Sequence, residues 1–170
     1  EADLNVNMDP NGRITLSGRY EVNKGHYEMS LYNLVSRRFE IDEGSTVTWG
    51  GDPMDANIDI RAIYRIETSA SELMASQISG AEAELANQFR QELPFLVYLN
   101  VQGELLQPLI SFGLDMPENQ QGAIGGNVYT RVQQINTQEG ELNKQVFALL
   151  LLNRRGYAAF LQCPDCGEVW

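Results

Sequence analysis

The fold is decided by residues 39–66, which read FEIDEGSTVTWGGDPMDANIDIRAIYRI and encode two strands and the turn between them. In the second half, every second residue from Ile58 to Ile66 is apolar, and Ile63 is the only apolar residue of the opposite parity. A period of two is typical of a strand with one apolar and one polar face. Two glycines, an aspartate and a proline at residues 50–53 supply the turn. This stretch predicts a β-hairpin.

The same alternation recurs on both sides of this hairpin. Residues 9–12, DPNG, are a strong tight-turn signal, and strands of alternating polarity precede and follow them. We interpret residues 23–25 and 42–45 as two further chain reversals, which makes the pattern an antiparallel meander. Apolar and polar residues alternate again after residue 92. In this part of the chain, Pro108 suits a strand start or a sheet edge.

The strands are predicted to share one apolar face. The side chains expected to line it as a hydrophobic groove are Ile14, Leu16, Tyr20, Val22, Tyr27, Met29, Leu31, Val47, Trp49, Ile58, Ile60, Ala62, Tyr64, Ile66, Phe95, Val97, Leu99, Val101, Ile110, Phe112 and Leu114. The alternative is that the same residues form the packed core of a sandwich or small barrel, because alternating strands usually point their apolar face inward.

Two parts of the chain lack the strand pattern. Residues 69–92 are small, polar and alanine-rich, and both a short helix and a crossover loop remain open for them. After a Gly/Gln/Asn-rich linker at residues 117–126, apolar residues follow a helical period. We therefore divide the chain into a β-trough at 1–116, this linker, a helical segment at 127–154 and a tail at 155–170.

The second predicted helix is apolar around most of its circumference. Asn136 and Thr137 are suited to cap it, with acidic residues in its first turn. Its apolar stripe consists of Leu142, Val146, Phe147, Leu149 and Leu150. So broad an apolar surface needs a cover. The interior or open end of the sheet is the simplest cover, and a docking surface for a partner is the alternative.

The charge of the chain disfavours nucleic-acid binding, and the lengths of its apolar runs do not favour a membrane span. The 170 residues carry a net charge of -11, which repels a phosphate backbone and an anionic bilayer surface alike. No apolar run approaches the roughly 20 residues that cross a bilayer. Because the sequence opens directly on a strand-like pattern, EADLNVNM, we expect it to be a piece of a longer protein.

Candidate catalytic and metal-binding residues are sparse. His26, the only histidine, falls on the polar parity of a strand, where a surface position is favoured over a role as a general base. Asp52, Asp55 and Asp59 lack the glycine and closing glutamate of a calcium loop, so a turn flanked by solvated acids is favoured.

Two further motifs also favour structural interpretations. Cys163 and Cys166 provide two of the four thiolates of a structural zinc site, and a disulfide, a free pair or an appended sequence is favoured over catalysis. The glycines within residues 122–126 follow a proline rather than a strand, which does not support a dinucleotide loop. We therefore expect no catalytic residue, no metal and no cofactor.

Three motifs carry a resemblance to a known family. They are FEIDEGS at residues 39–45, WGGDP at residues 49–53 and ELNKQVF at residues 141–147. In this order they resemble the C-terminal domain of the TamB family, most closely its Bacteroidetes form, over about residues 18–154. The tail after Arg155 departs from the family pattern, so any role for its cysteines is not carried over.

This resemblance implies a periplasmic β-sheet rolled into an open trough, a β-taco with an apolar interior, in a protein anchored in the inner membrane by an N-terminal helix. It implies a non-enzymatic role with a BamA-type outer-membrane partner, similar to TamA, in the translocation and assembly of outer-membrane proteins. Similarity to bridge-like lipid-transfer proteins implies that phospholipid travels between the two membranes.

Three hypotheses follow for the apolar face. It is a groove for phospholipid or for an unfolded outer-membrane protein, whose strand pairs with an exposed sheet edge. Alternatively, the helix at residues 142–152 docks on the outer-membrane partner, or the domain is a closed structural sandwich. A charge at Leu16, Ile60 or Leu99 is expected to block transport while leaving the fold largely intact.

Overall fold

The computed structural model describes residues 1–31, 35–78 and 83–152. Within them, the strands form a single open antiparallel sheet that does not close into a barrel. The strands are β1 (Ala2–Met8), β2 (Ile14–Val22), β3 (His26–Leu31), β4 (Val35–Ile41), β5 (Ser45–Gly51), β6 (Ala56–Ser69), β7 (Glu92–Glu104) and β8 (Gln107–Asp115). The α-helices are α1 (Ala75–Ile78), α2 (Ala83–Gln88), α3 (Asn127–Asn136) and α4 (Glu139–Leu152). This architecture confirms the predicted all-β trough followed by C-terminal helices.

The long strand β6 organises the sheet. On one side it pairs with β7 along its length, and β8 pairs with the far side of β7. On its other side it pairs with β5 near its beginning and with β4 further along. Outside these, β2 pairs with β5, β3 pairs with β4, and β1 borders β2. The resulting order confirms an antiparallel sheet, but the predicted meander is wrong, because β2 pairs with β5 and not with β3.

Two of the predicted reversals are wrong. Residues 23–25 join β2 to β3 and residues 42–44 join β4 to β5, and in both cases the two strands run end to end instead of pairing with each other. The five steps from Ile41 to Thr46 oppose only three steps of β6, from Asp59 to Ala62. Extra residues in one strand of a pair form a bulge that bends it. The glycine-containing segments therefore bend two long strands.

The hydroxyl of Ser45 repairs the hydrogen-bond ladder at this bend. Ser45 is buried, and its Oγ accepts the backbone N–H of Arg61 at 3.1 Å and donates to the carbonyl of Asp42 at 2.8 Å. The N–H of Asp42 donates to the carbonyl of Arg61 at 2.7 Å. Gly44, with φ of 85°, takes the left-handed conformation that lets the chain leave the ladder and return.

The two other predicted turns close hairpins. The DPNG turn connects β1 and β2, where Gly12 at φ 79° donates its N–H to the carbonyl of Asp9 at 2.8 Å. The GGDP turn connects β5 and β6, where the carboxylate of Asp52 accepts the N–H of Met54 at 2.9 Å and the indole N–H of Trp49 donates to the carbonyl of Pro53 at 3.1 Å. Asp52 therefore stabilises the turn.

Residues 70–91 connect β6 and β7 and contribute to the core. They include α1 and α2, and the structure describes them except for residues 79–82. The hydroxyls of Ser69 and Ser71 both donate to the carbonyl of Phe89 at 3.0 Å, which ties the beginning of this connection to its end. Within it, Leu73 and Met74 are fully buried. The segment contains both a helix and a loop, the two alternatives that its sequence allows.

Replacing Ser45 with alanine tests the bend. The Ser45→Ala variant leaves the N–H of Arg61 without its partner in a buried part of the ladder, so we expect a loss of about 1–3 kcal/mol in the free energy of unfolding. Urea denaturation measures it. Ser17→Ala, at an exposed position of β2, is the control and should change the free energy by less than about 0.5 kcal/mol. Equal effects would show that the hydroxyl does not support the bend.

Candidate functional site: an apolar trough with one covered half

One face of the sheet is apolar from edge to edge, and we call it the trough. Residues directly opposite each other on neighbouring strands point to the same side of a sheet. Leu16 lies opposite Val6 beside one edge of the sheet, whereas Leu99 lies between Ala62 and Phe112 beside the other edge. From β1 through β2, β5, β6 and β7 to β8, residues of matching parity therefore face the trough.

The half of the trough nearest the C-terminal helices is covered by the chain itself, and we call it the covered half. Its core consists of Phe39, Ala62, Ile66, Ala70, Leu73, Met74, Phe89, Leu93, Phe95, Val97, Leu99, Leu114, Met116, Val128, Val132, Ile135, Leu142, Val146, Leu149 and Leu150. Aromatic contacts extend this packing. The rings of Phe112 and Phe147 meet edge to face at 5.8 Å between centroids, and those of Phe39 and Tyr64 lie 5.6 Å apart.

Two arginines fasten the helices to the rest of the domain. Arg37, on the trough side of β4, donates its Nε–H to the carbonyl of Leu150 at 2.8 Å, near the end of α4, where a cation favourably meets the helix dipole. Arg131 of α3 donates its Nε–H to the carbonyl of Leu73 at 3.2 Å and forms a 3.5 Å ion pair with Glu141 of α4. Both are partly buried, so these contacts are less screened by water than surface pairs.

The opposite half of the trough is uncovered, and we call it the open half. It includes β1 and β2 and, at the far edge of the sheet, the beginning of β8, where Val6, Met8 and Ile110 expose 69%, 65% and 62% of their surface. Ala56 and Ile58, on β6 between these edges, are buried. Leu4, Ile14 and Tyr20 on the same face are also exposed. Isolated exposed apolar residues are ordinary, but a contiguous apolar face indicates a binding surface. The trough is thus not sealed along its length.

The structure separates the predicted groove residues into three groups. Those buried in the covered half are Ala62, Ile66, Phe95, Val97, Leu99 and Leu114, while Met29, Tyr64, Val101 and Phe112 pack against its border. Ile58 is buried outside that cluster, and Leu16, Val22, Val47, Trp49 and Ile60 are half-buried. Those exposed are Ile14, Tyr20, Tyr27 and Ile110. The side chain of Leu31 lies outside the described part of the structure.

Two expectations change with this separation. Leu99 is only 3% exposed, so a charge there is expected to disrupt the fold rather than block transport selectively. The predicted docking stripe on α4 is in the core as well, because Leu142, Val146, Leu149 and Leu150 are buried and Phe147 packs on Phe112. The helix is covered by the trough, which was the simplest of the covers considered.

Sequence reasoning missed several residues of the open half and its rim. Val6 and Met8 alternate like their neighbours, so their pattern was the signal for including them. Leu105, Leu106, Leu109 and Met54 cluster by topology in or beside the β7–β8 and β5–β6 turns, at the same end of the sheet, and all are exposed. Turn residues of this kind follow no sequence periodicity, so the pattern of apolar residues could not identify them. The two arginine anchors also had no sequence signal.

The polar face of the sheet carries a cleft of about 620 Å³ beside the bend. Basic residues Lys24, His26 and Arg38 line it together with Glu40 and other acids. His26 is exposed, as predicted, and its Nδ1 lies 3.2 Å from Nη2 of Arg38. The charges are of mixed sign, so the cleft has no strong preference for an anion or a cation.

The described residues contain neither a candidate metal cluster nor a helix suited to span a membrane. No group of three or more histidine, cysteine, aspartate or glutamate side chains there is placed to hold a metal ion. None of the helices described has the length and apolarity required to span a bilayer. Cys163 and Cys166, and with them the question of their pairing, lie outside the described residues.

A single antiparallel sheet with an apolar interior, open along one half, defines an all-β open-trough protein. The family model described as the TamB C-terminal domain matches residues 1–162, and the chain belongs to this family. The match covers every strand and helix described and continues into the tail. No match was found among curated proteins or among solved structures.

Membership of this family indicates a general role and a location in the cell. It implies a TamB-like role in outer-membrane assembly, in the translocation and assembly module, and the family works with an outer-membrane partner. It also indicates a location in the periplasm or cell envelope. The family is not known as enzymatic.

The division of the trough is tested by a pair of substitutions. Ile135→Ala removes a fully buried side chain of the covered half, and we expect it to lower the free energy of unfolding by about 2–5 kcal/mol. Leu109→Ala removes a side chain of the same size that is 76% exposed, and should change it by less than about 0.5 kcal/mol. Chemical denaturation measures both. Similar losses for the two variants would contradict the assignment.

Proposed function

We propose that the open half of the trough binds the acyl chains of phospholipid, and that the domain is a non-enzymatic conduit between the inner and outer membranes. The observation that supports this is a continuous apolar face that the chain's own helices cover on one half only. The same surface suits apolar segments of an outer-membrane protein during translocation and assembly. A groove of either kind requires no catalytic residue and no cofactor.

The energetics of such binding are those of apolar transfer. Each methylene moved from water onto an apolar surface contributes about 0.8 kcal/mol, and the force has no directional requirement. Leu16, Val6 and Met8 present such a surface without a charged residue among them on that face. Binding then depends on chain length and apolarity rather than on a specific headgroup. That tolerance suits a carrier of mixed phospholipids.

The covered half supplies an internal comparison. There, Val132, Ile135 and Val146 occupy the apolar face and are fully buried. The helices thus fill on one half the position that we assign to acyl chains on the other. The motifs of the family support the same trough, because FEIDEGS makes the bend, WGGDP makes a hairpin and ELNKQVF provides covering side chains.

We further propose that the full-length protein lies in the periplasm with an inner-membrane anchor and works with a BamA-type outer-membrane partner. A docking role through α4 is not favoured, since its apolar stripe is buried. Exposed Leu105, Leu106 and Met54 favour docking by the hairpin turns at the open end of the sheet instead. The sandwich alternative is not favoured, because the strands described form one sheet.

Lipid binding is tested by a matched pair on β2. Leu16→Glu places a carboxylate in the trough, where acyl chains provide no partner for it, and we expect at least a fivefold loss of co-purifying phospholipid. Native mass spectrometry measures the bound lipid. Ser17→Glu adds the same charge one residue away, on the opposite face, and should retain it. If Leu16→Glu retains as much phospholipid as the unmodified chain, the conduit proposal fails.

Docking is tested by photo-crosslinking in cells. A photoreactive residue at Leu106 is expected to crosslink to the outer-membrane partner, because this side chain is exposed at a hairpin turn. The same residue at position 147 replaces a side chain that packs on Phe112 and should give no such product. A product from position 147 alone would return the docking role to α4.

A further inference from the structure

We propose that two hairpin turns of the sheet insert together into an apolar pocket of a partner protein, and that lysine or arginine residues border that pocket. The proposal rests on the proposed docking by these turns and adds the chemistry of the surface that receives them. The inserted side chains are Met54, Leu105, Leu106 and Leu109, which we call the turn cluster. All four are exposed.

The loop between β7 and β8 has a composition that its turn does not require. Glu104 lies opposite Gln107, so Leu105 and Leu106 alone form the loop. Two-residue hairpin loops favour asparagine, aspartate and glycine at these positions. The positive φ of this hairpin, 97°, falls on Gly103 instead. Formation of the turn therefore does not account for two exposed leucines, whereas contact with another molecule does.

Hydrogen bonds hold the two turns in place. The N–H of Leu105 donates to the carbonyl of Ala56 at 2.8 Å, which ties the β7–β8 turn to the beginning of β6. In the β5–β6 turn, the N–H of Met54 donates to the carboxylate of Asp52 at 2.9 Å. A surface that is ordered before binding loses less conformational freedom on binding. The backbone positions of the turn cluster are therefore set before a partner arrives.

The position of the turn cluster favours a concave partner. Both turns lie where strands reverse at one end of the sheet, so their side chains project from a rim instead of lining a groove. Such a surface does not enclose an acyl chain, as a trough can. It fits a pocket that surrounds it, and leucine or methionine anchors inside an apolar pocket exclude water from the contact.

The charges on these two turns are all negative. Asp52, Asp55 and Glu104 are exposed, and residues 47–60 and 99–112 contain no lysine, arginine or histidine. Among the described residues, none of these three carboxylates takes part in an ion pair. The β1–β2 turn at the same end adds one charge of each sign and does not change the balance. Basic residues around the receiving pocket complement this border and steer the encounter.

The same carboxylates disfavour two other occupants. A symmetric contact with a second copy of this chain brings identical acidic borders together, and each copy carries a net charge of -11. A bilayer that takes up the leucines also draws the neighbouring carboxylates out of water, which is unfavourable for unpaired charges. We therefore assign the turn cluster to a different protein.

The apolar contact is tested with the purified periplasmic part of the BamA-type partner as the probe. Leu106→Ala truncates an exposed side chain, and we expect at least a tenfold weaker affinity by biolayer interferometry, chiefly through faster dissociation. Leu106→Met keeps an apolar side chain of similar size and should stay within threefold. Equal affinity of Leu106→Ala and the unmodified chain would overturn the proposal while leaving the partnership itself standing.

The basic border is tested by two double variants of equal net charge. Asp55→Lys with Glu104→Lys should slow association at least tenfold at low salt, because like charges then meet. Glu28→Lys with Glu43→Lys changes exposed positions elsewhere on the sheet and should stay within threefold. Raising the salt should slow association of the unmodified chain. Association that is independent of salt, or equal effects of the two double variants, would contradict a basic border.

The phospholipid that co-purifies with each variant separates docking from the conduit. Position 106 and the two lysine positions of the first double variant lie outside the open half, so their lipid content should equal that of the unmodified chain. Weak docking with normal lipid content then concerns the turn cluster alone. An unmodified chain that does not bind the probe would overturn the partnership and this surface together, whatever its lipid content.

Discussion

The constraint on which the domain depends is that one face of an open sheet is apolar apart from a few residues such as Arg37, and apolar surface in water is unfavourable. The chain satisfies this constraint on one half by packing α3, α4 and residues 70–91 against the strands. On the other half, β1 and β2 leave the same face exposed. The division explains how one surface serves two purposes. The covered half holds the fold together, and the open half is available to another molecule.

The bend between β4 and β5 shows how a family motif acts through structure. In FEIDEGS, Phe39 is in the core, Gly44 permits a left-handed backbone and Ser45 replaces lost ladder hydrogen bonds. They allow one long strand to change direction while it remains paired with β6, so the apolar rows continue across the bend. The motif therefore keeps the trough continuous across the bend.

Sequence predicted the strands and their apolar parity because a period of two is visible in local composition. It misinterpreted residues 23–25 and 42–45, since a glycine-containing segment has the same composition whether it reverses a strand or bends it. The difference is decided by pairing with β6, which is remote in sequence. Periodicity also could not distinguish Leu16 from Leu99: both lie on the trough face, and only the docking of the helices buries one of them. The broad stripe of α4 was equally compatible with a core and with a partner for the same reason.

The helices that cover one half of the trough also limit how much of its apolar face is exposed. The apolar face that stays exposed is therefore approached from the side of β1 and β2. The anchoring of α4 by Arg37 makes that limit part of the fold. For the proposed binding of acyl chains, the covered half sets the limit of the apolar surface that one domain provides.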